Sequence, residues 1–388
     1  MATLMSLTAL SIDAMLPALG AIGQDLGVER SNDVQLVVSA IFLGMAVGQL
    51  AYGPLSDSAG RKPALLAGLG LFMVGCVLSL FAQSFPMMLT GRLLQGLGAA
   101  GPRIVTVALI RDQYEGRRMA RVMSFVMAVF IIVPIVAPAM GQGILLFASW
   151  RAIFSAFLVI AAATAVWFTI RQPETLPVER RVPFTFDRIS RGIWEVLTTR
   201  DALGYTVAAG LVFGPFLAYL STAQQVFQVQ YELGRSFPLY FAFLSIALGV
   251  ASLSNAKLVM RYGMKALAHW ALVMMGLLSA GFFVVAYLAE GHPPLWALVA
   301  YLFLVFFCEG ILYGNMNALA MEPLGHIAGI GAAVVGALSM AISIAGGGLI
   351  GQAYDGTVLP LVAGFGILGF AALAAMRWTE SVATVPRS

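Results

Sequence analysis

Gly53-Pro54-Leu55-Ser56-Asp57-Ser58-Ala59-Gly60-Arg61-Lys62 separates two apolar runs, at 34–56 and 63–83, each about long enough to cross a bilayer as a helix. Neither run alternates polar with apolar residues, so neither reads as a barrel strand. What joins them is a tight helical hairpin, and the spacing of its residues has a physical logic. Small Gly53 permits close helix approach, Asp57 can cap or pair with a neighbouring helix end, and Gly60 permits the turn. Arg61 and Lys62 anchor one membrane face. A merely basic turn would account for the two cations but not for Asp57 or the glycines.

The rest of the chain has the same character. Of its 388 residues 60% are hydrophobic and only 10% are charged, against about 25% charge in an ordinary soluble domain, so lipid is the default solvent. In lipid each backbone amide must be satisfied internally, which with unalternating runs of this length means helices. The sequence predicts an all-α membrane protein with twelve transmembrane helices, near 2–24, 34–56, 63–83, 86–109, 119–142, 150–170, 202–224, 236–259, 264–288, 295–318, 327–350 and 358–377. The first run shows no clear cleavage site, and its Asp and Pro are unlike a signal-peptide core. It reads as a retained helix, although its start almost at Met1 without a basic lead leaves a trimmed or misannotated start open. Cys76 and Cys308 fall inside apolar helices and read as reduced packing residues. His269, His292 and His326 are isolated, so no metal site is expected and no cofactor beyond a coupling proton.

Charge placement sets the orientation. Of the 22 Lys and Arg residues, 17 fall on the side of the chain start, Arg30, Arg151 and Arg235 lie opposite, and Arg92 and Arg103 lie within a helix. Both termini are therefore expected in the cytoplasm, and the basic pI near 9.2 is a topological signal that argues against a nucleic-acid partner. The longest polar stretch, 171–201, divides six helices from six, giving an N-terminal bundle at 1–170 and a C-terminal bundle at 202–388. Gly60-Arg61-Lys62 after helix 2 is echoed by Gly263-Met264-Lys265 after helix 8, as a duplicated six-helix unit would leave it. Such a duplication predicts pseudo-symmetric halves with a binding site between them near the midplane.

Charges inside the apolar runs mark candidate sites. Asp13 lies mid-helix in Ala9-Leu10-Ser11-Ile12-Asp13-Ala14-Met15-Leu16-Pro17, where a carboxylate costs about 2.5–3.5 kcal/mol to insert. Arg92 and Arg103 are candidate partners, and Glu309 is a second buried acid. Around Arg92, Gln95, Gly96, Ala99 and Ala100 form a small face that lets another helix close in. Arg92 reads either as a participant in the proton cycle or as a structural charge held by backbone carbonyls. Arg103 reads either as a cavity-lining or as a structural residue. Pro134, Pro138, Gly141 and Gly143 in helix 5 kink the helix and make a pliable seam between the halves. In the second half Glu309 is either a second protonation site, a partner for a cationic substrate, or a protonated or hydrogen-bonded fastener of helices. Asn315 and Asn317 follow it within two turns, and Phe216, Tyr219, Gln224 and Gln225 join Met127 as substrate-lining candidates.

These motifs converge on one family. The loop after helix 2 resembles the G-x-L-x-D-x-x-G-R-K signature of the major facilitator superfamily, and Arg92-Leu93-Leu94-Gln95-Gly96-Leu97-Gly98-Ala99-Ala100 resembles its R-x-x-Q-G-x-x-A-A motif. Helix 5 resembles the antiporter motif G-x-x-x-G-P-x-x-G-G with departures at Pro134, Ala137 and Gln142. With Ile110-Arg111-Asp112, Ser149-Trp150-Arg151 and Gly214-Pro215-Phe216, the whole chain looks like the bicyclomycin/chloramphenicol-resistance (Bcr/CflA) branch of the drug:proton antiporters. The resemblance implies a twelve-helix monomer of the bacterial inner membrane that exports amphipathic small molecules in exchange for protons. It also implies a cytoplasmic charge lock of Asp57, Arg61 and Asp112. The rival within transport is an exporter or symporter of an endogenous metabolite. An enzyme is not expected, because the sequence offers no nucleophile–base set or ligand spacing.

Overall fold

A computed structural model describes residues 1–381; the side chains of Ala120 and Met127, the latter a lining candidate, lie outside the described residues. Fourteen α-helices are found there: α1 (Ala2–Asp13), α2 (Leu19–Asp25), α3 (Leu36–Ala59), α4 (Arg61–Leu80), α5 (Phe85–Gln113), α6 (Gly116–Leu145), α7 (Arg151–Arg171), α8 (Phe186–Thr198), α9 (Arg200–Gln224), α10 (Phe237–Tyr262), α11 (Met264–Leu288), α12 (Leu295–Met321), α13 (Ala328–Gln352) and α14 (Leu359–Glu380). Eleven stretches are long and apolar enough to span a membrane, and one of them, Leu295–Gln352, runs for 58 residues. At 1.5 Å per residue that stretch is far longer than one bilayer. A 3-10 segment, Glu322–Ile327, breaks it at non-helical Leu324 into α12 and α13, so the crossings number twelve.

The helices form two compact units, Met1–Ser190 and Arg191–Ser388. The expected central loop at 171–201 contains a helix, α8, which runs across the boundary between the units. In the first unit α5 is held between α3 and α4, and glycines set the spacing. A Cβ on Gly44 would strike the Leu93 carbonyl, and one on Gly96 the Ile41 carbonyl, so α3 and α5 touch backbone to backbone. The small face predicted around Arg92 is thus real. Gly53 makes no such approach, since a Cβ there would meet nothing within 4 Å. The close contact sits earlier in α3, at Gly44 and Gly48. In the second unit α9 packs on α13, α14 and α12, with Gly214 against Gly347.

Helix 1 is not continuous over 2–24. Proline has no N–H, and its ring clashes with the carbonyl four residues back; for Pro17 that residue is Asp13, where α1 stops. A 3-10 turn at Leu16–Ala18 leads into α2. The internal echo has a conformational counterpart: Gly60 (φ 110°, ψ 159°) opens α4 and Gly263 (φ 78°, ψ 159°) opens α11. Positive φ at both explains why glycine stands at each.

Candidate functional site

Because α1 ends inside the apolar stretch Ala2–Asp25, its last carbonyls after Leu10, which accepts the Ala14 N–H, lack intrahelical partners, and this end carries the negative pole of the helix dipole. Arg92 answers both needs. Fully buried on α5, it donates from Nη2 to the Ser11 carbonyl at 3.1 Å, from Nε to the Val37 carbonyl at 3.2 Å, and from Nη1 to Gln95 Oε1 at 2.5 Å. Its guanidinium also lies 5.9 Å from the Phe154 ring centroid. Gln95 passes the chain on to Cys76 Sγ at 3.3 Å.

Asp13, two residues beyond Ser11, is 5% exposed. Among the described residues no ion pair joins it to Arg92, whose nitrogens are bonded elsewhere. The direct Asp13–Arg92 partnership expected from sequence is replaced by an indirect one, in which Arg92 fixes the helix end that carries Asp13. The carbonyl-held reading of Arg92 describes its geometry. Gly141 of α6 lies against the same break, since a Cβ there would run into the Ala14 carbonyl. The seam expected from the helix 5 motif therefore includes a contact inside the first unit, on the residue after Asp13. Pro138 is buried beside this region, while Pro134 and Arg103 are half-buried.

At the loop end of the unit the lock implied by resemblance is assembled. Arg61 donates from Nη1 to Asp57 Oδ1 at 2.5 Å and to Ser56 Oγ at 2.9 Å, and from Nε to Asp112 Oδ2 at 3.0 Å. Lys62 instead reaches the Thr169 carbonyl at 2.7 Å. Sequence reading missed Glu174. Its carboxylate accepts the backbone N–H groups of Arg61 and Lys62, both at 3.0 Å, and of Thr175 and Leu176, both at 2.9 Å. It thereby caps the positive N-terminal pole of α4. Partial burial pushes the Glu174 acid upward, but these four backbone donors outweigh it and hold the carboxyl below its ordinary value.

A testable consequence follows with a definite sign. A lowered folded value means stability that is full above the ordinary carboxylate range and is lost as pH falls through that folded value. Glu174→Gln should therefore melt about 2 °C below the parent at neutral pH, with the gap closing under acid. Melting curves in detergent across pH check this; a gap that widens in acid would contradict the assignment.

At the other end of the unit Asp25 accepts from Arg151 Nη1 at 2.5 Å and Trp150 Nε1 at 3.1 Å, tying α2 to the start of α7. In the second unit the candidates separate. Asn315 exchanges amide bonds with Asn255 at 2.8 and 3.2 Å, fastening α12 to α10, and Asn317 donates to the Tyr313 carbonyl one turn back. Phe216 and Tyr219 stand in an aromatic cluster, with centroids 5.3 and 4.7 Å from Phe306. Gln224 ends α9 half-buried, and buried Gln225 begins a π-helical turn to Gln230. Glu309 is 2% exposed, and among the described residues neither of its carboxyl oxygens has a hydrogen-bond partner, so the fastening hydrogen bond is not made there. No group of three or more potential metal-ligating side chains occurs among the described residues.

Twelve apolar crossings in two units, a broken first helix carrying a buried acid, and a charged lock at the helix 2–3 turn define a membrane transport protein. The chain belongs to the Major Facilitator Superfamily, whose family model matches residues 1–348. It is 31% identical over 337 residues to an uncharacterized MFS-type transporter, YdgK, of Bacillus subtilis, covering 85% of this chain and 82% of that protein. It is 29% identical over 356 residues to a bicyclomycin resistance protein homolog of Haemophilus influenzae, covering 90% and 87%. A crystal structure of a D-xylose-proton symporter shares the fold with TM-score 0.74 at 14% identity, over 97% of this chain and 95% of that one. With its apolar crossings and this family, it is a multi-pass bacterial inner-membrane protein.

Proposed function

We propose that this chain is a drug:proton antiporter that exports hydrophobic or weakly cationic small molecules as a monomer, with Asp13 carrying the proton. The observation that carries this reading is the buried carboxyl at a helix end fixed from a neighbouring helix. Such a group titrates only when movement wets it, so its proton affinity follows the conformation around it. The glycine contact at Ala14 supports the reading, because displacement of α6 would act directly on the residue beside Asp13. The kinship with a bicyclomycin resistance protein homolog supports an antibiotic as substrate. Each proton entering releases about 2.3 kcal/mol per 100 mV of potential, plus the pH term.

The test is purified protein in liposomes, with internal pH followed as drugs are added. Drug-dependent proton movement opposite to the drug is the expected result. Proton movement with endogenous metabolites alone would replace the drug reading with metabolite transport.

A further inference from the structure

The helix α8 has three sides, and only two of them have an evident use. At 100° per residue, Gly192 and Val196 share one side and are buried; a Cβ on Gly192 would strike the Ile330 side chain, so this side docks at the start of α13. Asp187, Arg191, Glu195 and Thr198 form a polar side, where Glu195 is ion-paired with His326. The third side is apolar yet uncovered: Phe186 is 80% exposed, Trp194 70% and Leu197 42%, with Phe184 stacked edge-on against Phe186 at 5.7 Å.

Water is a poor neighbour for such a face, and the chain places a better one beside it. Thr199 alone separates α8 from α9, a membrane-spanning segment whose first residue, Arg200, stacks on Trp378 at 4.6 Å and bonds the Trp378 carbonyl. Tryptophan and arginine of this kind sit at headgroup depth. The apolar side of α8 therefore continues the lipid-facing belt of the helices it adjoins. Arg191 stands on the polar side adjoining this face, on the membrane side that the basic residues mark as cytoplasmic, where anionic lipids carry negative potential, while Arg188 lies on the far side of the helix. An amphipathic helix with Trp and Phe on one face and an arginine beside them lies in the interface plane.

We propose that α8 is an interfacial anchor that docks on an anionic phospholipid surface, with Phe186, Trp194 and Leu197 in the acyl boundary and Arg191 reaching a lipid phosphate. This is independent of what the protein transports. Ser190 is exposed and lies in the middle of the apolar face, while both native cysteines are buried, so a fluorophore on Ser190→Cys reports selectively. The full-length labelled protein is placed in phosphatidylglycerol or phosphatidylcholine vesicles at one copy per vesicle. Lipid-borne nitroxide should quench the label, more strongly in phosphatidylglycerol. Arg191→Gln should lower the docked-to-undocked ratio about fivefold. Phe186→Ser with Trp194→Ser should return the label to a water-soluble quencher even if the helix stays folded. Equal access to the water-soluble quencher in both vesicle types overturns the proposal. So does protection that arises only at many copies per vesicle, which would assign the face to a second copy.

Discussion

Asp13→Asn is expected to abolish uphill efflux while leaving the protein in the membrane. The substitution keeps the size of the side chain and removes only its titration. No ion pair or hydrogen bond from Arg92 is lost, because Arg92 is bonded to Ser11, Val37 and Gln95. The fold should therefore persist with an unchanged melting temperature. One proton descending about 100 mV supports a gradient of roughly fiftyfold, and a carrier that binds no proton can build none. In everted vesicles, drug accumulation against a gradient should fall to background, whereas drug–drug exchange down a gradient should survive. Efflux at the parent rate from Asp13→Asn would remove Asp13 from the coupling role.

The reason such a variant can be specified at all lies in what the sequence makes legible. Hydropathy over twenty-residue windows is set by the bilayer, so the twelve crossings and the turn at Gly60 could be read directly. The lock of Asp57, Arg61 and Asp112 was reachable only through the family resemblance, because the turn's fixed spacing holds Asp57 and Arg61 whereas Asp112 lies 51 residues from Arg61 on α5. Three other features were not readable in this way. The break after Asp13 depends on Pro17, which stood in plain view, but a kinked and a broken helix share one hydropathy profile. The partners of Arg92 are largely backbone carbonyls, and carbonyls have no side-chain signature. Glu174 binds amides 113 and 112 residues away, in a stretch that reads only as polar loop. The helix α8 was hidden differently. Its apolar residues recur at helical spacing (Phe186, Ile189, Ile193, Val196 and Leu197), but the surrounding arginines and glutamates dominated its composition.

Arg92→Met should destabilise the first unit by about 2–4 kcal/mol, which is a fall of roughly 5–15 °C in melting temperature. Two terms oppose each other. Deleting a buried guanidinium relieves the desolvation of a charge, and where a whole ion pair is exchanged for apolar groups that relief can win. Here only the donor is removed. The Ser11 and Val37 carbonyls and Gln95 Oε1 stay buried, each losing a hydrogen bond to a charged group. The Val37 carbonyl keeps its intrahelical bond in α3, but the Ser11 carbonyl at the end of α1 is orphaned, at a cost of about 1–3 kcal/mol. Gln95 can turn toward another partner, but the two carbonyls are fixed by α1 and α3, so the loss outweighs the relief. Arg92→Lys restores the charge at the pole of α1, yet one ammonium cannot copy a planar fork that reaches three acceptors. It should recover part of the stability and leave the end of α1 poorly positioned. Melting curves in detergent measure the first effect, and the pH profile of efflux by Arg92→Lys measures the second. If Arg92 acts by positioning the helix end beside Asp13, that profile shifts along the pH axis relative to the parent. An unchanged profile together with a melting temperature restored by Lys would make Arg92 a fastener with no part in coupling, and a parent-like melting temperature for Arg92→Met would show that its three bonds hold nothing.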